Sequence, residues 1–134
     1  MKRMLIALLI AVPAFAANSP LFTRYEAARQ ALLAGKVADV QSAAKSLAAA
    51  ARSSKQPAVA ARANDVAKAA TLASARTTFA ALSDEMIRYR TAIHVKDPVV
   101  VYCSMEKKSW LQPKGAITNP YLDASMRSCG EVRQ

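Results

Sequence analysis

The sequence predicts an all-α protein, an up-and-down bundle of about four helices with an irregular C-terminal tail packed on it. Three observations support this class. The middle of the 134-residue chain is rich in alanine and carries its apolar residues at helical spacing. The breaks between these segments are short, which favours antiparallel neighbouring helices. Both cysteines and the only tryptophan lie after residue 98, where the helical spacing ends.

The first two predicted helices have clear boundaries. One helix begins at Ser19-Pro20, because serine is a favoured N-cap and proline suits the first helical position. It stops near Gly35, a residue typical of helix C-termini. The second covers residues 37–52 and is followed by a turn at residues 53–57. One face of the first helix carries the apolar residues Leu21, Tyr25, Ala28 and Leu32.

Residues 58–96 contain neither glycine nor proline. A single helix of that length would extend for about 60 Å, which is too long for a domain of this size. The apolar spacing also shifts by about two residues along the segment. We therefore predict a third helix that begins at Pro57, a turn near Thr71 to Ala75, and a fourth helix that ends at about His94.

The tail, residues 98–134, has mixed character. Val99 to Tyr102 form a β-branched run that indicates a short extended segment. Pro113 to Gly115 indicate a turn, and a second turn at residues 119–120 is expected to open a short helix that ends at Ser128. Gly130 would terminate that helix. The tail has too little apolar periodicity to fold alone, so we expect it to lie on the bundle.

The N-terminus has the pattern of an export signal. The first residues read MKRMLIALLIAVPAFA, a positive end followed by a short apolar run and a small-x-small cleavage site. The run is shorter than the roughly 20 residues that a membrane span requires. The sequence therefore predicts a signal peptide at residues 1–16, cut after Ala16, and a single periplasmic domain at residues 17–134. Disulfides persist in that compartment.

The charge of the chain is strongly positive, with a formal value of +10. Export argues against nucleic acid as a partner, and the basic residues form no dense stripe with interleaved aromatics. The charge predicts a solvated basic surface, or weak binding to an anionic lipid or polymer. After signal cleavage we expect no stable membrane insertion.

The sulfur atoms of the tail point to a soft-metal site. Cys103 and Met105 are two residues apart, so they share a face if the segment is extended. Met126 and Cys129 are three apart, so they share a face of a helical turn. One fold-back would bring two thiols and two thioethers together, and these donors select Cu(I). A zinc site is disfavoured, because the tail has no histidine and no CxxC motif.

Other interpretations of these residues remain open. A disulfide between Cys103 and Cys129 would stabilise the fold by roughly 3 kcal/mol, and composition alone favours it. His94 is near enough in sequence to turn toward Cys103, or it complements the helix C-terminus. Trp110 is either a core anchor or a cover over the metal. No catalytic constellation is evident, so we do not expect an enzyme.

The tail also resembles a known family. Its segments YCSM (102–105), SWLQ (109–112), NPY (119–121), Met126 and CG (129–130) resemble the pattern YCPM…WLQ…NPY…M…CG. That pattern belongs to a bacterial exported family of unknown activity, found alone and beside or fused to CusB-like adaptors of copper and silver efflux systems. Residues 76–83, RTTFAALS, are similar to the R…F..LS helix of the family.

The resemblance implies a helical bundle, a role linked to copper, and an efflux adaptor or other envelope protein as partner. Ser104 stands where the family has proline, which implies a looser turn before Met105. The sequence as a whole predicts a periplasmic protein that binds a soft metal, and that buffers the ion or passes it to an efflux partner. The alternative is a disulfide-stapled structural or interaction module that docks an envelope partner without metal.

Overall fold

The computed structural model describes residues 19–134. The predicted signal peptide lies outside the described residues. Four helices, each packed against the next, are followed by a small antiparallel sheet. The elements are α1 Pro20–Leu33, α2 Val37–Ser53, α3 Pro57–Ala67, α4 Leu72–Ala92, β1 Val99–Cys103, β2 Lys108–Gln112 and β3 Glu131–Arg133.

The prediction of an all-α fold is wrong. The described chain is 57% helical and 11% strand, with a three-stranded antiparallel sheet, so the fold is mixed α/β. The β-branched run at residues 99–102 is extended as expected and becomes the central strand. Its partners, KSWLQ and EVR, are too short and too irregular in apolar spacing to be recognised alone. They form strands because β1 supplies hydrogen-bonding partners on both of its edges.

The four predicted helices are confirmed, with small shifts at their ends. Ser19 caps α1 by accepting a hydrogen bond from the Leu21 backbone N–H at 3.3 Å. The predicted break in residues 58–96 exists, but it lies at residues 68–71, slightly before the predicted position. Thr71 caps α4 by accepting from the Ser74 N–H at 3.1 Å. No helix within residues 19–134 combines the length and apolar character needed to cross a bilayer.

The short helix predicted for residues 119–128 is also wrong. Only one turn of 3-10 helix forms there, at Ala124–Met126. The segment folds back on itself instead, since the backbone N–H of the buried Asn119 donates to the Arg127 carbonyl at 2.7 Å, while the Asn119 side-chain oxygen accepts the Tyr121 N–H at 2.8 Å. Asparagine side chains commonly compete with helical hydrogen bonds in this way.

The sheet has the strand order β2-β1-β3 and lies against the helices. Val101 pairs with Trp110 on one side and with Val132 on the other. β2 packs on α4, and the Leu111 N–H donates to the Tyr25 hydroxyl of α1 at 3.1 Å. An outer edge of the sheet is therefore held by the bundle at this point.

Aromatic rings and hydroxyls join the tail to the bundle. The Ser83 hydroxyl of α4 lies 2.6 Å from the Tyr25 hydroxyl and 3.1 Å from that of Tyr121. The Tyr121 hydroxyl also contacts the Ser109 carbonyl at 2.7 Å. Burial raises the pKa of both tyrosines well above the ordinary value, so both hydroxyls stay protonated.

Replacement of Ser83 by alanine should lower the free energy of unfolding by about 1–3 kcal/mol. The change leaves two buried tyrosine hydroxyls without a shared partner. Urea unfolding followed by circular dichroism measures the loss, and the exposed Ser54→Ala is the matched control. Equal stability of the two variants would contradict a structural role for this hydroxyl network.

Candidate soft-metal site

The two cysteines lie next to each other. Cys103 is the last residue of β1, and Cys129 lies two residues before β3, so the pairing of these strands joins them. Their Sγ atoms are 2.9 Å apart. Cys103 is fully buried, whereas Cys129 is partly exposed. One sulfur of the pair therefore reaches the solvent and the other is covered.

Hydrogen bonds favour a thiolate at Cys103. Burial alone would raise the pKa of this thiol, but hydrogen bonds from the Cys129 thiol, from the backbone N–H groups of Glu106 and Met105, and from the Asn119 side chain outweigh it. The pKa of Cys103 is therefore lowered. The hydrogen bond to Cys103 is the first cause that raises the pKa of Cys129. After one proton is lost, the negative charge rests on Cys103 and the remaining proton on Cys129.

Asn119 holds the main chain at Cys129 in place, a role that the sequence alone does not indicate. Its side chain is fully buried, and its amide donates to the Cys129 carbonyl at 2.9 Å. The same amide group contributes to the hydrogen bonding of the Cys103 sulfur. The sequence predicts a turn at Asn119-Pro120, but only the folded chain shows that Asn119 contacts Cys129.

The two methionines are close to the cysteines in sequence, and their side chains are exposed. Met105 is 52% and Met126 46% exposed. Met105 lies in the turn between β1 and β2 and not in an extended segment, and its backbone N–H is one of the groups that lower the pKa of the two thiols. The Met126 carbonyl accepts the Cys129 N–H at 3.1 Å. Each methionine is thus tied to a cysteine through the main chain, while its thioether faces outward.

The two accessory residues do not join the sulfurs. His94 is exposed beyond the end of α4, before β1, whereas Cys103 is at the far end of that strand. The strand alone separates its first and last Cα atoms by about 13 Å. Trp110 is fully buried, donates to the Gln112 side chain at 3.0 Å and packs edge-on against Tyr121. It is a core anchor.

The other segments that carry the family resemblance meet in space. Arg76 of α4 forms an ion pair with Asp123 at 3.2 Å, and the Phe79 ring lies 6.1 Å from that of Tyr121. A Cβ atom added to Gly130 would lie 2.8 Å from the Trp110 ring, so the chain passes too close for a larger residue. These contacts hold the tail against the bundle.

The candidate metal ligands near the two cysteines are all sulfur atoms. Within residues 19–134, no group of three or more histidine, cysteine, aspartate or glutamate side chains could hold a metal ion. Two thiols in contact, with two thioethers close to them in sequence, fit a soft ion better than a hard one. A comparison of the chain with protein-family models, curated proteins and solved structures finds no match. The resemblance of the tail to the copper-efflux family stays a prediction.

Proposed function

We propose that this protein is a periplasmic soft-metal binder that takes Cu(I) at Cys103 and Cys129, with Met105 and Met126 as further donors. It buffers the ion or hands it to an efflux partner. The observation that carries the proposal is the contact of the two cysteine sulfurs, 2.9 Å apart. Met105 and Met126, each within three residues of one of these cysteines, have half-exposed side chains.

The chemistry of these donors supports Cu(I). Thiolate and thioether are soft ligands, and the thiolate is the form that binds metal. The backbone N–H groups of Met105 and Glu106 stabilise such a thiolate at Cys103 before any ion arrives. The exposed thioethers stand at the surface, where a partner protein can exchange its own ligands for them.

Binding requires one local movement. Two sulfurs that bind one ion lie farther apart than the observed 2.9 Å, since a metal–thiolate bond is about 2.3 Å long for zinc and the two bonds diverge from the ion. Cys103 is held by β1 and by its hydrogen bonds, whereas Cys129 is partly exposed after the single 3-10 turn. Outward rotation of the Cys129 side chain would widen the gap between the two sulfurs.

A Cu(I) competition titration against a chromogenic chelator tests the proposal. The reduced protein should take up one equivalent, and the Cys103→Ser/Cys129→Ser double variant should lose more than about 100-fold in affinity, because even outer-shell changes cost 10–100-fold. Met86→Leu is the matched control, since Met86 is fully buried in α4. Equal affinity of the cysteine variant and the parent would remove these residues as ligands.

The second candidate is a disulfide-stapled module that docks an envelope partner without metal. The short distance between the sulfurs and the full burial of Cys103 favour it. The bridge would link residues 26 positions apart and stabilise the fold by about 3 kcal/mol. A lower melting temperature after reduction, with no Cu(I) binding in either redox state, would identify the protein as the disulfide-stapled module.

A further inference from the structure

The two cysteine sulfurs differ in their access to an external reagent. Cys103 has no exposed surface, because it ends the central strand of the sheet and points into the core. Cys129 is partly exposed and lies in the segment between the 3-10 turn and β3. A reagent from solution therefore meets the Cys129 sulfur first.

We infer that the pair is a thiol–disulfide exchange site, in which Cys129 is the entry sulfur and Cys103 is the buried resolving and leaving sulfur. The external substrates are disulfides, when the pair is reduced, and dithiol reductants, when it is oxidised. This assigns a different chemical role to each cysteine, which neither the copper proposal nor the staple requires.

Oxidation would proceed in two exchanges. Cys129 passes its proton to the Cys103 thiolate across the 2.9 Å contact and attacks an external disulfide RS–SR, which forms the mixed disulfide Cys129–S–SR and releases RS⁻; RS⁻ or water then takes the proton from Cys103. The Cys103 thiolate then attacks the Cys129 sulfur, forms the internal disulfide and releases the second RS⁻. The external disulfide gains two electrons and the protein loses two, with the thiol protons passing to the released thiolates or to water.

Reduction follows the same path backwards. One thiolate of an external dithiol attacks the Cys129 sulfur, because the Cys103 sulfur is covered. The internal S–S bond breaks and Cys103 leaves as a thiolate. The second thiolate of the dithiol then attacks the mixed disulfide and releases Cys129.

The fold keeps the two sulfurs aligned for the internal step. The strands β1 and β3 pair directly after Cys129, with Tyr102 opposite Glu131. Asn119 holds the Cys129 carbonyl at 2.9 Å. The two cysteine sulfurs are 2.9 Å apart before the internal attack. Attack of Cys103 on the Cys129 sulfur should therefore be faster than attack by a second external thiol.

Single-cysteine variants treated with glutathione disulfide test the assignment. Cys103→Ser retains the entry sulfur and should accumulate a stable glutathione adduct at Cys129. Cys129→Ser retains only the buried sulfur and should react at least about tenfold more slowly, since exchange depends on access. The parent protein should lose two hydrogens as the internal disulfide forms and should retain no adduct. Intact mass spectrometry with time distinguishes these products.

Unfolding provides the internal control. In concentrated urea both single variants should react at the same rate, because burial of Cys103 is the cause of the difference. Cys103→Ala serves as a second entry variant, with circular dichroism of each folded variant. Equal native rates for the two cysteines, or a persistent adduct on the parent protein, would overturn the assignment. Exchange of this kind without any Cu(I) uptake would overturn the copper proposal alone.

Discussion

Replacing Phe79 by alanine should lower the free energy of unfolding by about 3–5 kcal/mol, the range for a fully buried phenylalanine. Its side chain has no exposed surface. The ring stacks on Tyr25 at 4.8 Å between centroids and lies 6.1 Å from Tyr121. Its loss would therefore loosen contacts of α4 with both α1 and the tail. Thermal and urea melts followed by circular dichroism measure the effect.

The control for this variant is Leu72→Ala, which changes an only partly buried residue at the first turn of the same helix. It should cost clearly less, because less apolar surface is lost from the core. A shift of the Phe79→Ala melting temperature by no more than a degree or two would mean that this ring does not join the helices as described.

Oxidation of the cysteines should reduce the affinity for Cu(I) by more than about 100-fold, beyond the 10–100-fold effect of outer-shell changes. A disulfide consumes both thiolates and leaves only the two thioethers as soft donors. Affinity of the reduced protein should also fall as the pH falls, because protons compete with the ion for the thiolates. The raised pKa of Cys129 makes this sulfur the one that protons hold more tightly. Competition titrations at several pH values, with reduced and oxidised protein, measure both effects.

The methionines are tested by a Met105→Ala/Met126→Ala double variant. Both side chains are about half exposed, so the variant should keep its melting temperature. The reduced double variant should bind Cu(I) more weakly than the parent protein if the two thioethers are ligands of the ion. Unchanged affinity would show a site made of cysteine alone, and Mg²⁺ should bind in no state because it prefers oxygen ligands.

Local sequence signals determined the helical part of this protein. Ser19-Pro20 opens α1 through a side-chain cap, and Pro57 opens α3. The shift in apolar spacing predicted the break before α4, and the side chains expected in its core, Phe79, Leu82 and Met86, are fully buried. These features depend on residues within one or two turns of each other, so the sequence contains them without reference to the rest of the chain.

The sheet and the contact of Cys103 with Cys129 both form between residues that are distant in sequence. KSWLQ and EVR become strands only because each pairs with β1, and EVR lies about 30 residues beyond it. The short helix expected from residue 119 does not form, and the Asn119 side chain instead donates to the Cys129 carbonyl and accepts the Tyr121 N–H.

The sequence by itself determined which donors the tail offers, two thiols and two thioethers, and that their chemistry is soft. Only the tertiary structure decided that Cys103 is covered and Cys129 is reachable, that Met105 and Met126 face the solvent, and that His94 lies apart. The physical reason is that spacing fixes the side of a local element on which a residue lies, whereas exposure depends on what packs against that side.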